Sequence, residues 1–121
     1  MPLPQPIKAR AHGLIDYGFG AAALALPAAL GLSGRTRALA GVLAATQGSV
    51  NALTATRVGV RPVLSLRTHG WIEAASLPPF LAVPFLTGAA SGGRERAFWV
   101  GLGVALATVY ALTDWQADAA S

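Results

Sequence analysis

The sequence predicts an all-α protein: four transmembrane helices forming two tandem helical hairpins, related by a pseudo-twofold axis along the membrane normal. Three observations predict it. Charged residues make up 12% of the 121 residues and hydrophobic residues 54%, whereas soluble domains carry about 25% charged residues. The few charges gather in short segments between apolar runs. The chain also repeats itself: residues 10–31, RAHGLIDYGFGAAALALPAALG, return as residues 67–88, RTHGWIEAASLPPFLAVPFLTG. In that register His12 meets His69, Gly13 meets Gly70, Asp16 meets Glu73, Pro27 meets Pro84 and Gly31 meets Gly88. After a two-residue insertion in the turn, the second helices match as well, with Arg35, Arg37, Val50 and Thr54 on Arg94, Arg96, Val109 and Thr113. Alanine and leucine matches arise by chance in apolar sequence, but Arg, His, Gly and Pro matches in one register do not. A unit of two helices returns the chain to its starting side, so both copies share one orientation.

The elements follow in order. Met1 to Gln5 is Pro-rich and extended, and Pro6 suits the first turn of a helix. Gly13 to Leu32 gives about 20 mainly apolar residues, enough for a ~30 Å hydrocarbon core. Lys8, Arg10 and His12 hold its start at the headgroups. Asp16 inside the apolar run, and the second copy downstream, argue against a cleaved signal peptide. Ser33 to Arg37 is a polar turn, too short for anything but antiparallel neighbours. Ala38 to Thr56 is the second helix, with Gln47, Asn51 and Thr54 on one face that should look into the bundle. Arg57 to His69 is the longest connection. Gly70 to Ala90 is the third helix, with Pro78, Pro79 and Pro84 inside it, and Ala97 to Trp115 is the fourth. The chain is one integral membrane domain, residues 1–121, with repeat one about 10–56 and repeat two about 67–115.

The paired Pro27/Gly31 and Pro84/Gly88 resemble the SPW-repeat family of small bacterial membrane proteins, whose members carry two copies of a two-helix unit with a Ser-Pro-Trp triplet late in the first helix and a glycine shortly after. Here the proline of the triplet stands alone, in Leu26-Pro27-Ala28 and Val83-Pro84-Phe85. The resemblance implies a four-helix protein of the bacterial inner membrane and carries no activity with it.

Composition limits the chemistry. With no cysteine there is no disulfide, thiolate metal site or cysteine nucleophile. The net charge of +4 comes from arginines paired between apolar runs rather than a basic stripe, so no nucleic-acid partner is expected. No nucleophile–base pair, phosphate loop or nucleotide fingerprint is present, and the chain reads as non-enzymatic, with no cofactor and no metal assigned.

Polar groups inside the helices are the candidates that remain. His12 and Asp16 share a helix face, as do His69 and Glu73. Asp16 lies six residues from Arg10, Asn51 six from Arg57 and Glu73 six from Arg67, level with Tyr110, so all sit roughly 9 Å below one surface. The predicted polar layer comprises His12, Asp16, Asn51, Thr54, Arg57, His69, Glu73, Tyr110, Thr113 and Asp114, with both carboxylates turned into the bundle. Structural pairing is the leading reading, with ion pairs to Arg10, Arg57 or Arg67 and partners drawn from Asn51, Thr54, Tyr110, Thr113 and the histidines. The alternatives are a small proton- or ion-coupled transporter using Asp16 and Glu73, and a cofactor- or metal-binding membrane subunit using His12 and His69. The metal alternative ranks behind because no HExxH-like or di-iron spacing is present. Pro27 and Pro84 should bend or end their helices. Gly41, Ala44, Ala45, Gly48, Gly101 and Ala105 suit close helix contact, and Trp71, Trp115 and Trp99 suit an aromatic belt. Five cations (Lys8, Arg10, Arg57, Arg61, Arg67) on the side of the termini, against four (Arg35, Arg37, Arg94, Arg96), favour cytoplasmic termini of a multi-pass cell-membrane protein. The function expected is that of a structural or accessory membrane component. Beyond the lipid bilayer, the partners left open are a second copy of the chain or a larger membrane complex.

Overall fold

The computed structural model describes residues 3–121; Met1 and Pro2 of the Pro-rich start lie outside them. Four helices follow in order: α1 (Ala9–Ala29), α2 (Gly34–Ala52), α3 (Leu66–Leu86) and α4 (Gly93–Leu112). No strand occurs among the described residues, only two isolated bridges, Ile7 with Thr113 and Thr54 with Leu64.

Each helix begins and ends about three or four residues earlier than the apolar runs suggest, because caps rather than hydropathy set the limits. Ser33 and Ser65 are N-caps whose side chains accept the backbone N–H of Thr36 and Thr68. The arginines expected in the turns, Arg35, Arg37 and Arg67, therefore sit in first turns. Pro6 does not begin a helix: α1 starts after Lys8, and Ile7 is held extended by its bridge to Thr113.

Both proline-bearing helices end two residues past the proline, at Ala29 and Leu86. The stop after Pro27 has a definite cause. Gly31 takes φ +61°, the Leu32 N–H returns to the Pro27 carbonyl at 2.9 Å and the Gly31 N–H to the Ala28 carbonyl at 3.2 Å, a Schellman termination. In the second copy Gly88 has φ +78° and the Ala90 N–H reaches the Pro84 carbonyl at 2.8 Å. The Pro–Gly spacing is thus a helix stop, with the proline carbonyl as the acceptor that the glycine turn captures.

The repeat is visible as repeated contacts that exchange partners between hairpins. The Ile7 N–H donates to the Leu112 carbonyl at 3.1 Å, and its counterpart, the Leu64 N–H, to Leu53 at 2.8 Å. Asp114 N–H to Ile7 carbonyl (2.9 Å) is matched by Ala55 N–H to Leu64 carbonyl (2.7 Å). At the opposite end Arg35 donates to the Thr87 carbonyl at 2.6 Å, and Arg94 to the Leu30 carbonyl. Thr36 and Glu95, themselves repeat partners, hydrogen-bond each other at 2.5 Å. Equivalent contacts thus tie each copy to the other, while the first hairpin packs more closely than the second.

Packing inside is done by small residues. Ala23, Ala40, Ala44 and Ala90 surround Trp99, with Leu39, Phe98 and Leu102 against them. Trp99 therefore points into the bundle rather than into a belt, and its indole N–H donates to Thr36 at 3.2 Å; Trp71 is exposed as a belt residue would be. The close approach expected at Gly101 occurs at Gly103, where a Cβ would lie 2.2 Å from Leu81 Cδ2 of α3, while Gly41, Gly48 and Gly101 face open space. Of the four helices, α4 is long and apolar enough to cross a membrane. The other three are diluted by polar residues: Arg10, His12 and Asp16 in α1, Arg35, Arg37, Gln47 and Asn51 in α2, Arg67, His69 and Glu73 in α3.

Candidate functional site

The first turns of α1 and α3 and the last turns of α2 and α4 meet at one end of the bundle. His12 and His69, one turn into their helices, are fully buried, and Asp16 and Glu73, a turn deeper, are 5% and 3% exposed. The four side chains converge on one point. His12 Nε2 lies 3.2 Å from Asp16 Oδ2 and 3.3 Å from Glu73 Oε2. His69 Nε2 lies 3.0 Å from the same Asp16 oxygen and 3.3 Å from the same Glu73 oxygen. Nitrogen and oxygen thus alternate around a closed ring, and a donor atom from each residue lies within 4.8 Å of all the others.

These distances suit hydrogen bonds, but the directions do not. Neither Nε2 aims at a carboxylate oxygen, and His12 Nε2, His69 Nε2, Asp16 Oδ2 and Glu73 Oε2 are all buried without a hydrogen-bond partner. Buried polar atoms are nearly always paired, and four unpaired ones in mutual contact are exceptional.

The far side of each imidazole is fully determined. His12 Nδ1 is 2.9 Å from Thr113 Oγ1, and His69 Nδ1 is 2.8 Å from Thr54 Oγ1. Each threonine hydroxyl already donates to a carbonyl one turn back, Val109 and Val50 respectively, both at 2.6 Å. The single hydroxyl hydrogen being committed, each threonine can only accept, so Nδ1 carries the proton. Both Nε2 atoms then face the carboxylates.

Trp115, just past α4, covers the centre. Its ring centroid is 4.6 Å from that of His12 and 5.8 Å from that of His69, and the Tyr110 ring, tilted by 41°, lies 5.4 Å from it. The glycine after each histidine makes room: a Cβ on Gly70 would lie 2.7 Å from Trp115 Cδ2, and one on Gly13 2.4 Å from Val58 Cγ2. Trp115 was expected in the belt; no local signal in the sequence marks it as a lid.

Not all expected members join. Asn51 is buried and donates to the Gly13 carbonyl at 2.8 Å, beside the ring rather than in it. Arg57 is exposed and donates to the Ala120 carbonyl at 2.6 Å, so it is no partner for a carboxylate. Neither Arg10 nor Arg67 forms an ion pair with Asp16 or Glu73, whose only ion-pair partners among the described residues are the two histidines. Asp114 stays outside, paired with Lys8 at 2.8 Å. The Lys8 ammonium, helped by the Gln116 backbone N–H, holds the Asp114 carboxyl below the ordinary carboxylate range.

No family model, curated protein or solved structure matches the chain.

Proposed function

We propose that the protein is a small integral membrane component, four helices in two hairpins about an axis along the membrane normal, whose working part is the buried His–carboxylate centre. The role is accessory rather than enzymatic, and the likeness to SPW-repeat proteins belongs to the same proposal. One observation carries the membrane reading: the bundle buries large polar side chains and turns large apolar ones outward. Its largest fully buried side chains include His12, His69, Asn51, Thr36, Thr54 and Thr113, while Leu14, Leu24, Val42, Leu81, Val100 and Val104 project outward from the helices. A water-soluble bundle buries an apolar stripe. In lipid, apolar side chains face out, small residues bring helices together, and polar groups are satisfied inside.

Holding a charge, rather than passing one across, is favoured by what lies beneath the centre. The cavity next to Asp16 has a volume of about 10 Å³, room for about one water. Beyond it the bundle is filled by the alanines and Trp99. A carrier using Asp16 and Glu73 would need an opening on that side.

Two outward valines test the membrane reading. Val104, in the middle of α4, is 62% exposed, and Val60, in the α2–α3 connection, is 77% exposed. In proteoliposomes permeable to a hydrophilic maleimide, Val60→Cys should label and Val104→Cys should not, because lipid covers it. Equal labelling, or release of the protein from membranes by alkaline carbonate, would refute the reading.

A further inference from the structure

We propose that His12, Asp16, His69 and Glu73 are the four ligands of a single divalent transition-metal ion, with zinc as the type case. The inference names the occupant of the centre described above, and rests on that centre being the working part of the protein.

Four features lead to it. First, the lone pairs are in place. With Nδ1–H fixed by Thr113 and Thr54, each imidazole in its neutral form, the form that binds a metal, turns its Nε2 lone pair towards two carboxylate oxygens. Four acceptors facing one another inside a protein repel unless a cation lies among them. Second, the spacing fits. Ligands at ~2.0 Å around a tetrahedral ion are separated by roughly 3.3 Å, and the four N···O edges run from 3.0 to 3.3 Å. These are four of the six edges of such a tetrahedron; the other two, N···N and O···O, lie within 4.8 Å, and the imidazoles point between the carboxylate oxygens instead of at them.

Third, the charge balances. Two neutral imidazoles and two carboxylates sum to two negative charges, which a divalent ion cancels; a neutral cluster is the form a low-dielectric interior tolerates. Fourth, the outer groups are those of a metal centre. Ligating histidines typically donate their other ring N–H to an acceptor that fixes ring and tautomer, and both do so here through threonines held by helix carbonyls. The imidazole–carboxylate donor set suits zinc and its first-row neighbours rather than calcium or magnesium, which take oxygen. The sequence spacing hides all this, because each helix supplies two ligands at i and i+4 and only the pairing of the two copies completes the set.

The test uses tag-free protein in detergent, stripped with chelator and titrated with ZnCl₂ alone. The expected result is one zinc per chain. His69→Ala and Glu73→Gln should weaken binding by at least about a hundredfold, since removing a ligand exceeds the 10–100-fold loss from removing a group that only orients one. Asp114→Asn, outside the centre, should bind as the parent does. Should the histidine variant fail to fold, Glu73→Gln together with the Co²⁺-loaded parent decides: the strong visible absorption of four-coordinate cobalt supports the site, and the weak absorption of six-coordinate cobalt contradicts it. Absence of stoichiometric binding by folded parent protein, as would follow if protons alone filled the centre, overturns the proposal. So does zinc binding unaffected by Glu73→Gln. A protein that resists carbonate extraction yet binds no metal refutes this inference alone; one that binds zinc yet washes off membranes refutes the membrane reading alone.

Discussion

Replacing Thr113 by valine removes one hydroxyl and keeps the shape. The His12 ring is fully buried, so no water can replace the acceptor that its Nδ1–H loses. An orphaned buried donor costs about 1–3 kcal/mol, while hydrogen bonds between membrane helices average nearer 0.6 kcal/mol, with a maximum of about 1.7. The first figure applies where the partner finds no substitute, the second where it does. A ring clamped between Trp115 and His69 has little freedom to find one, so about 1–2 kcal/mol is expected. The Val109 carbonyl loses the same hydroxyl, and the Thr113 N–H, which donates to the Tyr110 carbonyl, does not replace it, so the cost lies towards the upper end of that range. At about 3–6 °C per kcal/mol for a chain of this size, thermal unfolding in detergent should fall by roughly 3–12 °C, and zinc affinity by about 10–100-fold. Thr54→Val should cost the same within about 0.5 kcal/mol, because the His69 contact differs from its counterpart by only 0.1 Å (2.8 against 2.9 Å). Thr113→Ser restores the oxygen but loses the methyl, and should recover most of both losses. Unchanged affinity and stability in Thr113→Val would refute the reasoning. So would a serine variant as damaged as the valine one, since that is the pattern of a packing role.

Three further outcomes follow from the structure. Gly31→Ala and Gly88→Ala force a side chain into φ +61° and +78°, and each should destabilise by about 1–2 kcal/mol, read by thermal unfolding; a change below about 0.5 kcal/mol, the scatter of neutral sites, would contradict the helix-stop role. Gly70→Leu should push Trp115 off the histidines, raising indole exposure to a water-soluble quencher; an unaltered quenching profile would show that the tryptophan is not a lid. The lowered Asp114 carboxyl means that its contribution is fully present above the ordinary carboxylate value and is lost as pH falls through the lower folded value. The protection of the Asp114 amide, bonded to the Ile7 carbonyl at 2.9 Å, measured against the intrinsic exchange rate at each pH, should therefore fall at the acid end of the range, and Lys8→Ala should move that fall to higher pH; an unmoved profile would remove Lys8 as the cause.

Much of this was legible in the sequence, and what was not has physical reasons. The repeat register, the helix count and the depth of Asp16 and Glu73 follow from counting, because rise per residue fixes position along a helix. Rotation about the helix axis, and the crossing that brings α1 to α3, are set by packing, so counting could not tell a layer of separate ion pairs from a single four-membered ring. Arg57 looked like a partner on depth alone, but its side chain turns outward to Ala120. Hydropathy misplaces the helix limits because it assigns arginines to turns, whereas Ser33 and Ser65 cap helices that carry them in the first turn. Trp99 was placed by its distance along α4; the alanines opposite it leave a space that an indole fills. The Thr36–Glu95 contact went unseen because the two residues, though equivalent in the repeat, are chemically unlike.

X-ray absorption at the zinc edge of the tag-free, zinc-loaded protein tests the central claim most directly. The account predicts four nitrogen and oxygen neighbours at ~2.0 Å, with the outer-shell scattering of two imidazole rings, and loss of one ring's contribution in His12→Ala. A spectrum with six oxygen neighbours, or without imidazole scattering, would show that His12, Asp16, His69 and Glu73 do not share a cation.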